Sequence, residues 1–440
     1  MEAQTNFCIT HIIDKIVFHF TGNNTHKSVS IIKINYENLL VNGELHCVRN
    51  FKAWKDLLPC SKSCTSILQH LAHVKGATKG NTDEDVAEEI FEQLISKSND
   101  WPVRIQKCML QNERICLFLN RGDIITNSIT MAIKCGTTFG KAKSKTAKVF
   151  ILKYQTDEQS ELTTQRLRII KDVAAKMLSL HGYEISTEEN CTDDKYMFTS
   201  KSEGLVDKGY NKYVCGVVKN AQSNSKETCL TWEQYIKYKI NQLAELNEHK
   251  LIENEKSNVK NTFLHNLANA IVIFEFMAVK PKKPVIIENN CEDDKSITNT
   301  RGASFALYNT ARIATIITKH REKALRGEYP DLPDIKNVDF SQLQDEEWEL
   351  VYNFIFGYSQ MINNCLTCEP SFCFYPQVLI LFLSRLCQKF SAYYRKVKIL
   401  TEGGDHLISK MIARLYMLRA LQVVFENALD ILGIKPISRM

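Results

Sequence analysis

The stretch Ala413-Arg-Leu-Tyr-Met-Leu-Arg-Ala-Leu421, followed by Ala428-Leu-Asp-Ile-Leu-Gly-Ile-Lys-Pro-Ile-Ser-Arg-Met440, decides the fold of this 440-residue chain. Its apolar residues recur at helical spacing, and Gly433 followed by Pro436 ends the helix, glycine just past the last turn and proline soon after. Working back from it, the same periodicity predicts helices near 302–325, 341–363, 377–398 and 406–432. Four helices with short connectors read as an all-helical bundle over 301–440.

Inside that bundle, Phe382-Leu-Ser-Arg-Leu-Cys-Gln-Lys-Phe-Ser-Ala-Tyr-Tyr-Arg-Lys-Val-Lys398 interleaves Arg385, Lys389, Arg395, Lys396 and Lys398 with Phe390, Tyr393 and Tyr394. Rings stack on unpaired bases while Lys and Arg neutralise phosphate. By periodicity alone, an ordinary amphipathic helix with its rings in the core is the simpler reading.

Upstream the pattern is mixed. VFILKY at 149–154 reads as a buried strand. RLRIIKDVAAKMLSLHGYEI at 166–185 reads as a helix with Ile169, Ile170, Val173, Met177 and Leu180 on one face, ended by Gly182 before a short strand. Strand, helix and strand make a β-α-β opening, so a nucleotide-fold relative fits 141–300. Residues 186–260 are polar and read as surface loops or helix ends. Residues 1–140 alternate strand-like runs (SVSIIKINY, RICLFLN) with helix-like ones (FKAWKDLL, EDVAEEIFEQLI) and read as an α+β domain. The expected class is therefore α+β to mostly α: an N-terminal α+β domain (1–140), a degenerate Rossmann-like middle domain (141–300) and a C-terminal helical domain (301–440).

Composition narrows the function. With 56 basic and 50 acidic residues, a net charge of +6, 44% hydrophobic residues, 17 Gly and 9 Pro, the chain is neither a polycation nor disordered nor fibrous. The excess is uneven. The last 58 residues hold ten Lys and Arg against four Asp and Glu, the first 150 also lean basic, and the middle leans acidic. No basic region followed by an apolar one opens the chain, and its apolar runs are far shorter than the ~20 residues of a spanning helix. Fifteen scattered cysteines, many in apolar stretches, suit a reduced, cytoplasmic protein rather than a disulfide framework.

Local motifs give way to plainer readings. Gly136-Thr-Thr-Phe-Gly140-Lys141-Ala142 has three residues between its glycines where a phosphate loop has four, and Ala142 stands where Ser or Thr must hold magnesium. It reads as part of a solvated linker running to Lys148. Cys365, Cys368 and Cys373 have no second Cys or His pair nearby to complete a zinc site, and Cys60 and Cys64 are no better. No nucleophile signature is present, and no cofactor or metal is expected.

The C-terminal sequence resembles the last helix of arginyl-tRNA synthetases, which end in a Leu-Leu-Gly-(Ile/Val)-x-x-x-x-Arg-Met pattern. Phe390-Ser-Ala-Tyr-Tyr394 is similar to their Phe-x-x-Phe/Tyr-Tyr helix, and Leu307-Tyr-Asn-Thr-Ala-Arg-Ile313 to the helix opening the same domain. Three ordered matches point to the DALR-type anticodon-binding domain. Aligned on Ile169-Ile-Lys-Asp172 and Gly182-Tyr-Glu-Ile185, the synthetases' His-x-Gly-His signature falls on Glu161, Leu162, Thr163 and Thr164. The residues that steady ATP phosphates are gone, and no Lys-Met-Ser-Lys-Ser-like loop follows. The shrunken body and Ala303-Ser-Phe-Ala-Leu-Tyr-Asn-Thr-Ala-Arg-Ile-Ala-Thr315 resemble the DALR anticodon-binding domain-containing protein 3 family.

That resemblance implies a non-catalytic adaptor, which binds arginine tRNAs and brings them to a 3-methylcytidine methyltransferase acting in the anticodon loop. Neither DNA nor a membrane is an expected partner. By family position, Tyr394 and Met440 lie near the anticodon. Arg312, Lys389, Tyr393, Arg395, Lys398, Arg414 and Arg419 are the accompanying candidates for tRNA contact, Arg312 equally a helix–helix tie. Arg395 stands where the synthetases commonly have Asn or Asp, so base recognition need not be the same. Two other functions compete: an active arginyl-tRNA synthetase, predicting arginine-dependent pyrophosphate exchange, and a protein–protein scaffold without RNA binding.

Overall fold

The computed structural model describes residues 7–22, 31–58, 64–75, 83–142, 148–188, 194–204, 207, 209–247, 257–288, 294–401 and 404–436. Two compact units emerge: 1–131 with 339–360, and 132–338 with 361–440.

The first unit is built on a four-stranded antiparallel sheet in the order β1-β2-β4-β3. Its strands are β1 (Ile32–Ile34), β2 (Leu45–Val48), β3 (Ile105–Gln111) and β4 (Arg114–Leu119), accompanied by helices α1 (Ile9–Thr21), α2 (Leu39–Asn42), α3 (Ile67–Lys75), α4 (Asp83–Ser98) and the start of α5 (Arg121–Cys135). Helix α1 forms because Ile9, Ile12, Ile13, Ile16, Val17 and Phe20 lie on one buried face, and Gly22 in the left-handed region ends it. Phe20 meets the buried Trp54 edge-on at 5.6 Å.

Residues 339–360 are expected to belong with the C-terminal bundle, yet they pack into this first unit. They hold α10 (Asp345–Leu350) and a π-helical turn (Val351–Phe356), which runs into α11 (Tyr358–Cys365). The reason is aromatic and electrostatic. Tyr352, buried, donates its hydroxyl to the Glu44 carbonyl at 3.1 Å, Arg121 covers the Trp348 ring at 5.1 Å, and Arg121 pairs with Asp345 at 2.7 Å.

The second unit contains the expected β-α-β opening. Strand β5 (Val149–Tyr154) leads through α6 (Glu161–Leu180) to β6 (Glu184–Ile185), which pairs parallel with β5. Strands β7 (Asp194–Thr199) and β8 (Asn211–Val214) complete a four-stranded parallel sheet in the order β6-β5-β7-β8. Segment 186–260 is thus not simply loop. It also holds β9 (Val218–Asn220), paired parallel with β10 (Val285–Ile287), and α7 (Trp232–Asn247). Its strands are three to six residues long and partly exposed, which removes the apolar run that betrays a strand.

Three long helices finish the unit: α9 (Asp294–Leu325), preceded by α8 (Ser257–Met277), then α12 (Pro376–Lys396) and α13 (Asp405–Ile431). Helix α13 ends as its sequence predicts. Gly433 has φ 72°, and the Ile434 N–H returns to the Leu429 carbonyl at 2.9 Å. The Gly136 segment is solvated in part: Thr137, Thr138, Lys141 and Lys148 are exposed, whereas Phe139 is buried and the Asn427 amide donates to the Gly136 carbonyl at 2.9 Å. Lys143 and Lys145 lie outside the described residues.

Between α11 and α12 a hairpin of β11 (Leu366–Thr367) and β12 (Cys373–Phe374) carries Phe372 onto the parallel sheet, within 4.7–6.4 Å of the rings of Phe150, Tyr196, Phe198 and Tyr213. Among the described residues no cluster of His, Cys, Asp and Glu suits a metal ion, every cysteine is a free thiol, and no helix is long and apolar enough to cross a membrane.

Candidate nucleic-acid interface

Two grooves lie on either side of one stack of side chains where α9 meets α12. Tyr308 and Arg312 are one turn apart on α9, and Tyr394 stands on α12. The Arg312 guanidinium sits 4.2 Å from the centre of each tyrosine ring. It also donates to the buried Asn309 side chain at 3.4 Å, and Asn309 in turn accepts from Ser391 at 3.2 Å and donates to the Cys387 carbonyl at 3.4 Å. Arg312 is therefore both the helix–helix tie and a surface group. Tyr308 and Tyr394 keep 41% and 38% of their surface exposed, enough to leave one ring face or edge in water.

The first groove, of about 570 Å³, is lined by Phe305, Tyr308, Arg312, Gln388, Ser391 and Arg395 among others. The second, of about 500 Å³, is lined by Ile316, Lys319, Tyr394, Val397, Lys398 and Ile399 with Tyr308 and Arg312 shared. Both volumes fall in the range of small-molecule sites, roughly 300–1,000 Å³. Exposed aromatic faces with cations at the rim form a stacking platform suited to unpaired bases and their phosphates.

The sequence candidates divide on inspection. Arg312, Tyr394, Arg395 and Lys398 come together at this site. Tyr393 does not: only 4% of it is exposed and its ring packs 6.5 Å from Phe390, because its helix position turns it to the core. Arg414 donates to the Lys398 carbonyl at 3.4 Å and buttresses the segment from behind. Arg419 covers the Tyr416 ring at 5.4 Å, and neither arginine lines a groove. Lys389 is exposed on α12 outside both grooves, and Met440 lies outside the described residues. Tyr308, Phe305, Gln388 and Lys319 were not singled out from the sequence. The signal that finds Tyr308 is its four-residue spacing from Arg312, which puts ring and guanidinium on one helix face.

The parallel sheet tells a different story. Strand order reverses between β5 and β7, and ligands of such sheets bind outside the carboxyl ends of the strands at that point. Here the ends are tied to each other. Thr199 donates to the Gln155 side chain at 2.8 Å, Ser200 donates to Asp157 at 2.6 Å, and Lys226 reaches Asp157 at 2.5 Å and Gln159 at 3.3 Å. Burial pushes the Asp157 carboxyl up, but the hydrogen bonds from Lys226 and Ser200 outweigh it and hold it below the usual carboxylate value. At the aligned signature positions, Leu162 is buried, Thr163 accepts from the Val218 N–H at 3.1 Å, and Thr164 accepts from the Asp157 N–H at 2.8 Å. These side chains build the start of α6.

Residues 306–440 match the family model of the DALR anticodon binding domain. Two curated relatives named DALR anticodon-binding domain-containing protein 3 align over about half of this chain. The Danio rerio protein is 29% identical over 236 residues (52% of this chain, 41% of its own length). The Mus musculus protein is 30% identical over 233 residues (52% and 42%). The matched region thus spans about two fifths of those relatives. An arginine–tRNA ligase of Sulfurisphaera tokodaii is 26% identical over 203 residues (46% of this chain, 28% of the ligase). Among solved structures, Thermus thermophilus arginyl-tRNA synthetase superposes with TM-score 0.59 at 10% identity, covering 97% of this chain and 100% of that one. The Plasmodium falciparum enzyme does so with TM-score 0.58 at 9% identity, covering 98% and 99%. At such identities the superpositions speak for the fold alone.

The fold is like that of arginyl-tRNA synthetases, and residues 306–440 match the DALR anticodon-binding domain. Within that class, the chain is similar over about half of its length to the curated relatives named DALR anticodon-binding domain-containing protein 3.

Proposed function

We propose that this protein is a non-catalytic tRNA-binding adaptor of the cytoplasm, which recognises arginine tRNAs through its anticodon-binding domain and presents them to a 3-methylcytidine methyltransferase acting in the anticodon loop. The observation that carries the RNA-binding part is the Tyr308–Arg312–Tyr394 stack with a groove on each side and cations at the rim. Arg312, Tyr394, Arg395 and Lys398 are its contact residues. Lys389, Arg414 and Arg419 serve as surrounding positive charge or support. The similarity to arginine–tRNA ligases supports arginine tRNAs as the class selected. Free thiols throughout the described residues suit a reducing compartment.

The non-catalytic part is supported by the occupied switch point of the parallel sheet. Opening that crevice for a nucleotide means breaking hydrogen bonds and an ion pair around the nearly buried Asp157 side chain. Division of the chain at residues 140 and 300 remains our proposal for its inherited modules, distinct from the two compact units.

The test is to purify the full chain from cells, sequence the RNA that accompanies it, and repeat with Tyr394→Ala. Deleting α13 is unsuitable because that helix is largely core. Enrichment of arginine tRNAs with the wild type, lost with the variant, is expected. Recovery of no tRNA, or of all tRNAs equally, overturns the arginine-specific reading. Cross-linking in the same cells, followed by identification of bound proteins, tests the methyltransferase.

A further inference from the structure

The two grooves are built from different chemistry. The first carries a base-reading set, the Gln388 amide and the Arg395 guanidinium, with Phe305, 48% exposed, as its apolar wall, while the Ser391 and Ser384 hydroxyls already donate to Asn309 and to the Ile380 carbonyl. Gln388 is exposed on α12. An amide offers a donor and an acceptor side by side, the arrangement that pairs with a base edge. The second groove has a mostly aliphatic floor of Ala311, Ile316, Val397, Ile399 and Leu400, with Lys319 and Lys398 as its cations and Thr315, whose hydroxyl donates to the Ala311 carbonyl at 2.8 Å. Ammonium groups are point charges that take phosphate without reading a base. Between the two stands one wall, the Tyr308–Arg312–Tyr394 stack, which Asn309 and Ser391 hold from below.

Resting on the RNA-binding reading above, we propose that this stack divides two neighbouring nucleotide seats of unequal selectivity. The Gln388 groove reads the identity of one unpaired base. The Lys319–Lys398 groove holds the adjacent nucleotide by stacking and charge, whatever its base. A strand crossing the wall is thereby registered at a single position, which lets one domain fix the frame of a loop without reading every base in it.

The experiment measures binding of the full chain to an arginine tRNA transcript and to versions substituted singly at each anticodon-loop base, with wild type, Gln388→Ala and the double variant Lys319→Ala/Lys398→Ala. All three replaced side chains are exposed, and circular dichroism with thermal unfolding confirms that each variant folds. For wild type, one loop position is expected at which substitution costs about tenfold or more, the scale of a paired base edge. Gln388→Ala erases that penalty and leaves the other positions unchanged. The double variant keeps the penalty, weakens binding to every transcript by the same factor, and lowers the salt slope by about 1.4, two phosphates at about 0.7 each. Wild-type binding with no position-dependent penalty, a penalty that survives Gln388→Ala, or a double variant that changes which position is read overturns the two-seat proposal alone. Wild type that binds no transcript overturns the RNA-binding reading and this proposal with it.

Discussion

Arg312 lies 4.2 Å from the centres of two tyrosine rings carried by different helices, and its planar guanidinium is what allows it to face both. A lysine there keeps the charge and loses the plane. Each cation–π contact at a half-exposed site is worth about 0.5–1 kcal/mol and an ammonium can keep one of the two, so Arg312→Lys is expected to lower folding stability by about 0.5–1 kcal/mol and Arg312→Ala, which loses both, by about 1–2 kcal/mol. Urea unfolding checks this, and an unchanged midpoint would show that the stack does not tie α9 to α12. A second residue, in the first unit, sets a pH dependence. Burial drives the Glu44 carboxyl up to about 7, despite the Leu119 N–H at 2.8 Å and the nearby Arg121, which favour the charged form. The folded state then binds the proton more tightly than the unfolded chain. Stability attributable to Glu44 is full below the ordinary carboxylate value, falls as pH rises toward 7, and is flat above, with a total drop of roughly 3 kcal/mol. Glu44→Gln keeps an acceptor for Leu119 and is expected to flatten this slope, which urea unfolding at pH 5 and pH 8 measures.

At the scale of elements, the legible parts were those whose burial is periodic and long. The strand at 149–154, the helix after it and the helices near 302–325, 377–398 and 406–432 all carry enough apolar spacing to be read directly, and the left-handed Gly433 marks the last stop. The strands of segment 194–220 were hidden because their burial comes from tertiary partners. The hairpin bearing Phe372 is two residues per strand, too short for any pattern, yet its ring is 5% exposed and seated among four sheet aromatics. Phe372→Ala is expected to cost about 3–5 kcal/mol, the range for emptying an aromatic site. Unfolding by denaturant measures it, and a loss below about 1 kcal/mol would mean that the hairpin does not help to hold the sheet. A close backbone approach was equally invisible: a Cβ on Gly216 would stand 2.3 Å from the Lys283 backbone carbon, so Gly216→Ala forces β9 and the 281–284 loop apart. The site was half legible for the same reason. The resemblance brought Arg312, Tyr394, Arg395 and Lys398 into view, whereas Tyr308 and Gln388 matter only through what α9 and α12 place beside them, and Tyr393, next to Tyr394 in sequence, faces the core.

At the scale of the whole chain, the function we propose separates fold from chemistry. The likeness to synthetases covers nearly the full length, but the ends of the parallel strands are joined by side chains that satisfy one another. The Lys226 ammonium covers Asp157, a carboxylate whose side chain is only 3% exposed, and a nucleotide that displaced it would leave that charge without its ion-pair partner. Breaking a fully buried pair without replacing the partner costs about 3–5 kcal/mol; the Lys226 side chain is 25% exposed, so this pair costs less, but ATP brings negative charge that cannot substitute for the ammonium. Thr163 and Thr164 add no compensating group, since their hydroxyls already serve the Val218 and Asp157 backbone. The expected outcome is no arginine-dependent pyrophosphate exchange above a no-enzyme control, in a preparation that binds arginine tRNA with an affinity falling steeply as salt rises. Exchange dependent on arginine would overturn the adaptor reading in favour of a ligase. Absence of both exchange and tRNA binding would favour a scaffold. With tRNA included in the exchange mixture, salt-sensitive tRNA binding without exchange is the combination expected of the adaptor, so the two assays on one preparation set it apart from a ligase and from a scaffold without RNA binding.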